Sequence, residues 1–361
     1  MLKRALKSIL MGTAVVVSLM AAAGFYFLWI APTPAFNPPR IVSIKRGDTV
    51  RAITQRLQDA GVIRSAWVAR IYARLSGQAG RLQPGDYAFK GDERVPDVIR
   101  HLANGDFLVV AVTIPEGLTV YQIANRIEQA GLGCAIDFER AARDGPLVTA
   151  LGLTPLGAEG YLFPATYRFP PSASVGTILA TMLERFFVIL TPRIEERLFM
   201  LGMTEREMLT MASIVEKEAK LPNERPLIAG VLYNRLRLNM PLQSDPTAQY
   251  DYEGSIDSAL QAVHTPSAYN TYDFVGLPPG PIANPGLASI MATLYPSRTD
   301  YLYFVARDDG SHIFSRSLEQ HNRAVATLRK RGAGPARGTT TALARPVQQD
   351  SDASEHPDRS N

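Results

Sequence analysis

The sequence predicts an α+β protein built from an N-terminal transmembrane helix, a small α/β module, a larger mixed α+β domain and a disordered C-terminal tail. Three observations carry this reading. An uncharged run extends from Ser8 to Ile30. A Gly-x-Thr-Val motif occurs twice, at Gly47 and at Gly117, each time after a short β-like run and before an amphipathic helical pattern. From Leu201 to Arg331, helical periodicity alternates with long loops of amides, hydroxyls, aromatics and prolines.

The run from Ser8 to Ile30 exceeds the roughly 20 residues that span a bilayer as a helix. A cleaved signal peptide would have an apolar region of about 7–15 residues and a small-residue cleavage site. This run is longer and ends in Phe25-Tyr26-Phe27-Leu28-Trp29, aromatics that suit a membrane–water interface. An uncleaved anchor over residues 8–30 is therefore expected. Lys3, Arg4 and Lys7 precede it within residues 1–7, and no basic residue follows until Arg40. The positive-inside rule then leaves the N-terminus in the cytoplasm and everything after the span on the outer side of the cell inner (cytoplasmic) membrane. Residues 31–40 are rich in proline and read as an extended stalk.

Soluble structure begins near Ile41. GDTVRAITQRLQDAG, from Gly47, and GLTVYQIANRIEQAG, from Gly117, share Gly, Thr, Val, Ile53/Ile123, Arg56/Arg126, Ala60/Ala130 and Gly61/Gly131. Each copy offers a Thr N-cap and a helix closed by Gly. Val50, Ile53 and Leu57 have helical spacing, which makes them core positions. Between the copies the pattern predicts a helix over 66–75, a strand over 85–89 and a short helix over 95–102. The first copy, within residues 41–108, resembles a LysM module, a fold whose members bind N-acetylglucosamine-containing glycans; a spacer without a ligand is the competing reading. Residues 135 to 200 read as mainly helical, interrupted by the loop Glu159–Pro164. Beyond Gly332, residues 332–361 hold almost no large apolar side chain and should be disordered.

The 361-residue chain is 46% hydrophobic, enough for two or three small domains with cores. Its net charge is only +4, and its local basic groups are Lys3, Arg4 and Lys7 at the start and Arg329, Lys330, Arg331 and Arg337 near the end, so nucleic acid is not an expected partner. The one cysteine, Cys134, allows no intramolecular disulfide. The five histidines, at 101, 264, 312, 321 and 356, are scattered without zinc-ligand spacing. No metal and no cofactor are expected.

The helix expected over Thr204–Lys220 carries the densest chemistry. Thr204 and Glu207 form a capping-box pair, and Pro222 marks the far end. Met208, Met211, Ala212, Val215 and Ala219 make an apolar face. Glu216 and Glu218 stand near the C-terminal end but diverge by about 200° at helical periodicity, so they cannot form one close pair. Each flanks the apolar face, and periodicity does not choose between them. A carboxyl in apolar surroundings favours its neutral form, which is what a general acid needs. The competing reading is two surface glutamates paired to Lys217, Lys220 or Arg225. A second helix over Arg225–Leu236 follows. The loops after it present tyrosine and amide side chains, which offer sugar rings a stacking face and hydrogen bonds. Tyr301–Ala306 then reads as a strand with 312–314 as its hairpin partner.

The motifs ASIVEKE (Ala212–Glu218), NRL (Asn234–Leu236), LQSDPT (Leu242–Thr247), YNTY (Tyr269–Tyr272), GLPPGPIANPG (Gly276–Gly286) and YLYFVA (Tyr301–Ala306) occur in one order. In that order and spacing the chain resembles the YceG-like endolytic murein transglycosylases over about residues 41–325, plus the anchor. The resemblance implies a catalytic domain over 109–331, with 109–134 as its repeat segment. It also implies that the essential acid is the second glutamate of ASIVEKE, here Glu218. The family often has Asp where this chain has Ala165, so no role transfers to that position. Candidate substrate-binding residues are Glu216, Asn234, Arg235, Gln243, Asp245, Tyr269, Asn270, Thr271 and Tyr272. The implied partners are peptidoglycan glycan strands, the inner membrane and cell-wall synthases.

The implied reaction cuts the β-1,4 bond between N-acetylmuramic acid and N-acetylglucosamine and leaves a 1,6-anhydro end. An ordinary glycosidase needs two carboxyl groups; this reaction needs one, acting as acid and then as base. Two alternatives stand beside it: a muramidase in which Asp245 or Glu216 positions water, and a non-catalytic wall-binding scaffold that uses the repeats.

Overall fold

The computed structural model describes residues 2–26, 32–251 and 259–330. The tail expected over 332–361 and the end of the apolar run at 27–30 lie outside the described residues. Helix α1 spans Leu2–Phe25, and its apolar stretch is Met11–Ala22. Among the described residues no single helix is long and apolar enough to cross a membrane.

The architecture is α+β, with helices and three two-stranded sheets among the described residues. The described residues form two compact units: those within 2–113, 125–137 and 166–178, and those within 114–124, 138–165 and 179–330. The second Gly-x-Thr-Val segment is divided between them.

The first unit opens with β1 (Arg40–Ile44), α2 (Val50–Asp59), α3 (Ala66–Leu75) and β2 (Gly85–Phe89). The strands β1 and β2 are antiparallel, with Val42 opposite Tyr87. Thr49 caps α2 by accepting from Ala52 N at 3.2 Å. Gly47 and Gly61 both take positive φ, as the tight turns at either end of α2 require. Val42, Ile53, Leu57, Ala69, Tyr87 and Phe89 are buried in one cluster with Val98, Ile99 and Leu102 of α4 (Val95–Asn104). The alternation of β1 and β2 and the helical spacing of α2 thus converge on one core.

The repeat seen in the sequence is a repeat of structure. The second copy runs β3 (Val110–Ile114), α5 (Val120–Gln129), α6 (Ala135–Asp144) and, after the short α7 (Pro146–Ala150), β4 (Ala165–Phe169), which pairs with β3. Arg56 Nη1 donates to Ser43 O at 3.0 Å, and Arg126 Nη1 donates to Thr113 O at 3.3 Å. Gln58 Oε1 accepts from Ala66 N at the start of α3, and Glu128 Oε1 accepts from Ala135 N at the start of α6. Cys134 is exposed at the start of α6. The sequence reading placed helix where β4 lies. Its period-2 burial, with Tyr167 and Phe169 inside and Thr166 and Arg168 outside, marks a strand laid on β3.

The second unit continues through α8 (Val175–Ile189), α9 (Pro192–Leu201), α10 (Glu205–Glu218) and a 3-10 turn at Pro222–Glu224. It then runs through α11 (Arg225–Arg237), α12 (Asp245–Tyr250), α13 (Ala259–His264) and α14 (Leu287–Leu294). The hairpin β5 (Tyr303–Ala306) and β6 (His312–Ser315) and the helix α15 (Leu318–Lys330) complete it. Its core gathers Met211, Ile214 and Val215 of α10, Ile228, Ala229 and Leu232 of α11, Leu242, Ile282 and Ala292. Against this core α10 presents its last turn, and with it Glu218.

Candidate active site

Thr204 starts α10 with a capping box: its hydroxyl accepts from Glu207 N at 3.2 Å, while Glu207 Oε2 accepts from Thr204 N at 2.8 Å. Residues 208 to 215 are all buried, so neighbouring elements surround α10 through its middle. The helix stops at Glu218 because Ala219 adopts an extended conformation, three residues ahead of Pro222. Glu218 is only 2% exposed, and its Oε1 accepts from Ser244 Oγ at 2.6 Å.

Glu216 points elsewhere. Its Oε1 accepts from Arg225 Nη2 at 3.2 Å and its Oε2 from Gly286 N at 3.0 Å. Arg225 also donates to Ser289 Oγ. Glu216 thus joins α10 to α11 and to the loop entering α14. The pair that periodicity left open is separated by long-range partners: a hydroxyl cluster for Glu218 and a guanidinium for Glu216.

The hydroxyl cluster is built from two loops. Ser244 N donates to Thr271 Oγ1 at 3.1 Å, Thr247 Oγ1 donates to Ser244 O at 2.6 Å, and the two threonine hydroxyls lie 2.8 Å apart. Gln243 precedes them at φ 49°, a left-handed conformation rare for a residue with a side chain, and its N–H is fixed on Thr271 O at 3.0 Å. Asp245 opens α12 and accepts from Tyr272 OH at 2.6 Å. Burial raises the Asp245 carboxyl, opposed by that hydrogen bond, and burial likewise raises the Tyr272 phenol.

Arg235 lies beneath these loops. Its Nε donates to Leu302 O at 2.7 Å, its Nη1 donates to Leu242 O at 3.0 Å and to Gln243 Oε1 at 3.3 Å, and its guanidinium sits 5.0 Å from the Tyr303 ring centroid. Burial lowers its pKa, while Tyr303, Tyr272 and Glu218 hold it up. Asn234 donates to Thr299 O and Tyr301 O at 2.7 and 2.9 Å, and Asn270 donates to Val263 O and Thr265 O. Asn234, Arg235 and Asn270 therefore hold loop backbones. Tyr269 is half-buried, with its ring 4.7 Å from that of Tyr250.

Several residues of this neighbourhood escaped the sequence reading. Ser244 and Thr247 flank Asp245 inside the motif from which only Gln243 and Asp245 are sequence candidates. Glu159, at the head of the loop Glu159–Pro164, is 7% exposed. It accepts from Val120 N at 3.0 and 3.2 Å, from Asn284 Nδ2 at 2.8 Å and from Tyr250 OH at 3.1 Å. Burial pushes its carboxyl up to about 7, although these hydrogen bonds favour the ionised form. Asn284 in turn accepts from Leu162 N at 2.8 Å. Beside them opens a cavity of about 310 Å³ lined by Thr119, Tyr121, Glu139, Arg143, Glu159 and Tyr250 among others. A lone glutamate in an otherwise apolar loop was the available signal. Among the described residues, no group of three or more His, Cys, Asp or Glu is arranged to hold a metal ion.

The model of the YceG-like family matches residues 42–327. The endolytic murein transglycosylase of Bacillus subtilis (strain 168) is 34% identical over 303 residues, covering 78% of this chain and 83% of that protein. The endolytic murein transglycosylase of Streptococcus pneumoniae serotype 2 (strain D39 / NCTC 7466) is 32% identical over 322 residues, covering 79% of this chain and 57% of the longer relative. A 2.6 Å crystal structure of a yceG-like protein from Listeria monocytogenes superposes with a TM-score of 0.56 at 32% identity, covering 79% of this chain and 99% of the other.

Proposed function

The chain belongs to the YceG-like family, and from that premise we propose that it is a peptidoglycan lytic transglycosylase that cuts within glycan strands, with Glu218 as its acid and then its base. The observation that carries this assignment is one buried glutamate at the end of α10, 2% exposed and held at 2.6 Å by a serine hydroxyl.

In the proposed reaction, protonated Glu218 donates to the oxygen between N-acetylmuramic acid and N-acetylglucosamine as the C1–O bond breaks. The acetamido group of the muramic residue stabilises the developing cation. Ionised Glu218 then takes the proton from the C6 hydroxyl, whose oxygen closes on C1 to give the 1,6-anhydro end. No water is consumed, and Glu218 ends the cycle protonated. Ser244 donates to Oε1 and so fixes the carboxyl that carries the travelling proton. Tyr269 and Tyr272 would border the sugar subsites, with Glu216, Asn234, Arg235, Asn270 and Thr271 fixing the walls.

A muramidase would require a second, ionised carboxylate to activate water. Asp245 adjoins Ser244, but its carboxyl is already engaged by Tyr272 OH at 2.6 Å. This favours the single-carboxyl mechanism.

The setting fits work on the outer face of the inner membrane. The basic start of the chain and the apolar stretch of α1 support a membrane anchor with the N-terminus in the cytoplasm. The order β1-α2-α3-β2 supports a LysM-like module that would hold the glycan. An anchored enzyme of this kind would cut nascent strands near cell-wall synthases and limit their length.

The test is digestion of purified peptidoglycan with wild type and Glu218→Gln, followed by mass spectrometry of the new ends. Wild type should yield 1,6-anhydro ends and Glu218→Gln none. Reducing ends from the wild type would replace the transglycosylase reading with the muramidase one.

A further inference from the structure

We propose that Glu159 is a positioning residue for this reaction, acting on Glu218 through Tyr250 and the helix α12; the inference rests on the assignment of Glu218 as the acid–base.

The geometry is a helix pinned at both ends by buried carboxyl groups. At its N-terminal end Ser244 Oγ donates to Glu218 Oε1 at 2.6 Å. At its C-terminal end Tyr250 OH donates to Glu159 Oε2 at 3.1 Å. The intervening 6 residues, Asp245–Tyr250, form one short helix, spanning about 9 Å at the α-helical rise. A rigid rod of that length transmits a displacement at Tyr250 to Ser244. Glu159 also fixes the loop Gly276–Gly286 through Asn284 and caps the start of α5 at Val120 N. One carboxyl therefore joins three segments distant in sequence, and one of them bears the hydroxyl on the catalytic acid.

The chemistry of the Tyr250 bond makes the link switchable. Val120 N, Asn284 Nδ2 and the phenol all donate to Glu159, so the ionised carboxylate satisfies every one of them. Val120 N donates to both oxygens, at 3.2 Å to Oε1 and 3.0 Å to Oε2; Oε1 has Asn284 Nδ2, a donor only, as its other partner, whereas the phenol oxygen at Oε2 can itself act as acceptor. A proton arriving at Glu159 thus settles on Oε2, and the Tyr250 bond must reverse: the carboxyl donates and the phenol oxygen accepts. The phenol hydrogen then needs another partner, and the grip on α12 changes. Burial pushes this ionisation up to about 7. The other titratable groups facing Glu159 are Tyr269, whose ring is tilted 50° to that of Tyr250, and Tyr121, Glu139 and Arg143 across the cavity.

The ionised form is the one that holds α12, so activity rises as Glu159 loses its proton. Glu218 must begin the cycle protonated. The test follows kcat and KM for full-length wild type, Glu159→Gln and Tyr250→Phe on purified glycan strands between about pH 5 and 9, with thermal melts as the check on folding. Both variants should produce the same 1,6-anhydro ends, lower kcat about tenfold with KM little changed, and lose the acid limb that the wild type shows. Tyr250→Phe keeps the Glu159 carboxyl in place and carries the test if Glu159→Gln does not fold. An acid limb unchanged in either folded variant, or absent from the wild type, overturns the proposal. Failure of the underlying assignment is separable, since it appears as anhydro ends missing from the wild type or persisting in Glu218→Gln.

Discussion

The Ser244 hydroxyl donates to Glu218 Oε1 across 2.6 Å, where both residues are at most 2% exposed. A hydrogen bond to a carboxyl strengthens as that carboxyl becomes charged. Glu218 acquires charge when it protonates the leaving oxygen, so Ser244 stabilises the transition state more than the ground state. Ser244→Ala should cost about 1.5–3 kcal/mol of that stabilisation, lowering kcat roughly tenfold to a hundredfold. KM should stay near its wild-type value. Initial rates of anhydro-end formation on purified strands check this; a raised KM with kcat unchanged would mean that Ser244 serves only binding.

Glu216 should behave unlike Glu218. Its pair with Arg225 has side chains 7% and 12% exposed, so breaking it leaves a largely buried guanidinium with Ser289 Oγ and the more exposed, 4.0 Å distant Glu116 as partners. Glu216→Gln should lower unfolding free energy by about 3 kcal/mol, while the folded variant still forms anhydro ends. Denaturant unfolding of the soluble part, paired with the glycan digest, separates these effects. Complete loss of product from a stable Glu216→Gln protein would move the acid–base assignment to Glu216.

Stability should depend on pH through Glu159. Its folded-state proton affinity is raised from the ordinary 4.5 to about 7, so the folded state binds more protons than the unfolded chain between those values. The associated stabilisation is fully present below about pH 4.5 and is lost as pH rises through 7. The loss is about 3 kcal/mol, and Glu159→Gln should flatten this part of the profile. Unfolding midpoints in denaturant across that range test it, and a wild-type midpoint that climbs from acid to neutral pH contradicts it.

The elements read from sequence were those with local causes. The capping box at Thr204, the apolar face of α10, the turn glycines Gly47 and Gly61 and the alternation in β1 and β2 all act within a few residues. What escaped depended on distance along the chain. β4 was hidden inside a segment read as helix because its alternation gains meaning only against β3. Glu216 and Glu218 occupy similar edges of one helix, and Arg225, Gly286 and Ser244 tell them apart. Glu159 is buried by Tyr250 and Asn284, which lie 91 and 125 residues away in sequence. The composition of the loops after α11 suits sugar contacts, yet Asn234, Arg235 and Asn270 spend donors on backbone carbonyls, and composition does not distinguish a wall from a contact.

Cys134 has a practical consequence. It is the one thiol in 361 residues, and it is exposed. A maleimide dye added to the unmodified protein therefore attaches at one defined point between α5 and α6. Single-molecule fluorescence can follow the enzyme along a cell-wall sacculus with no engineered label.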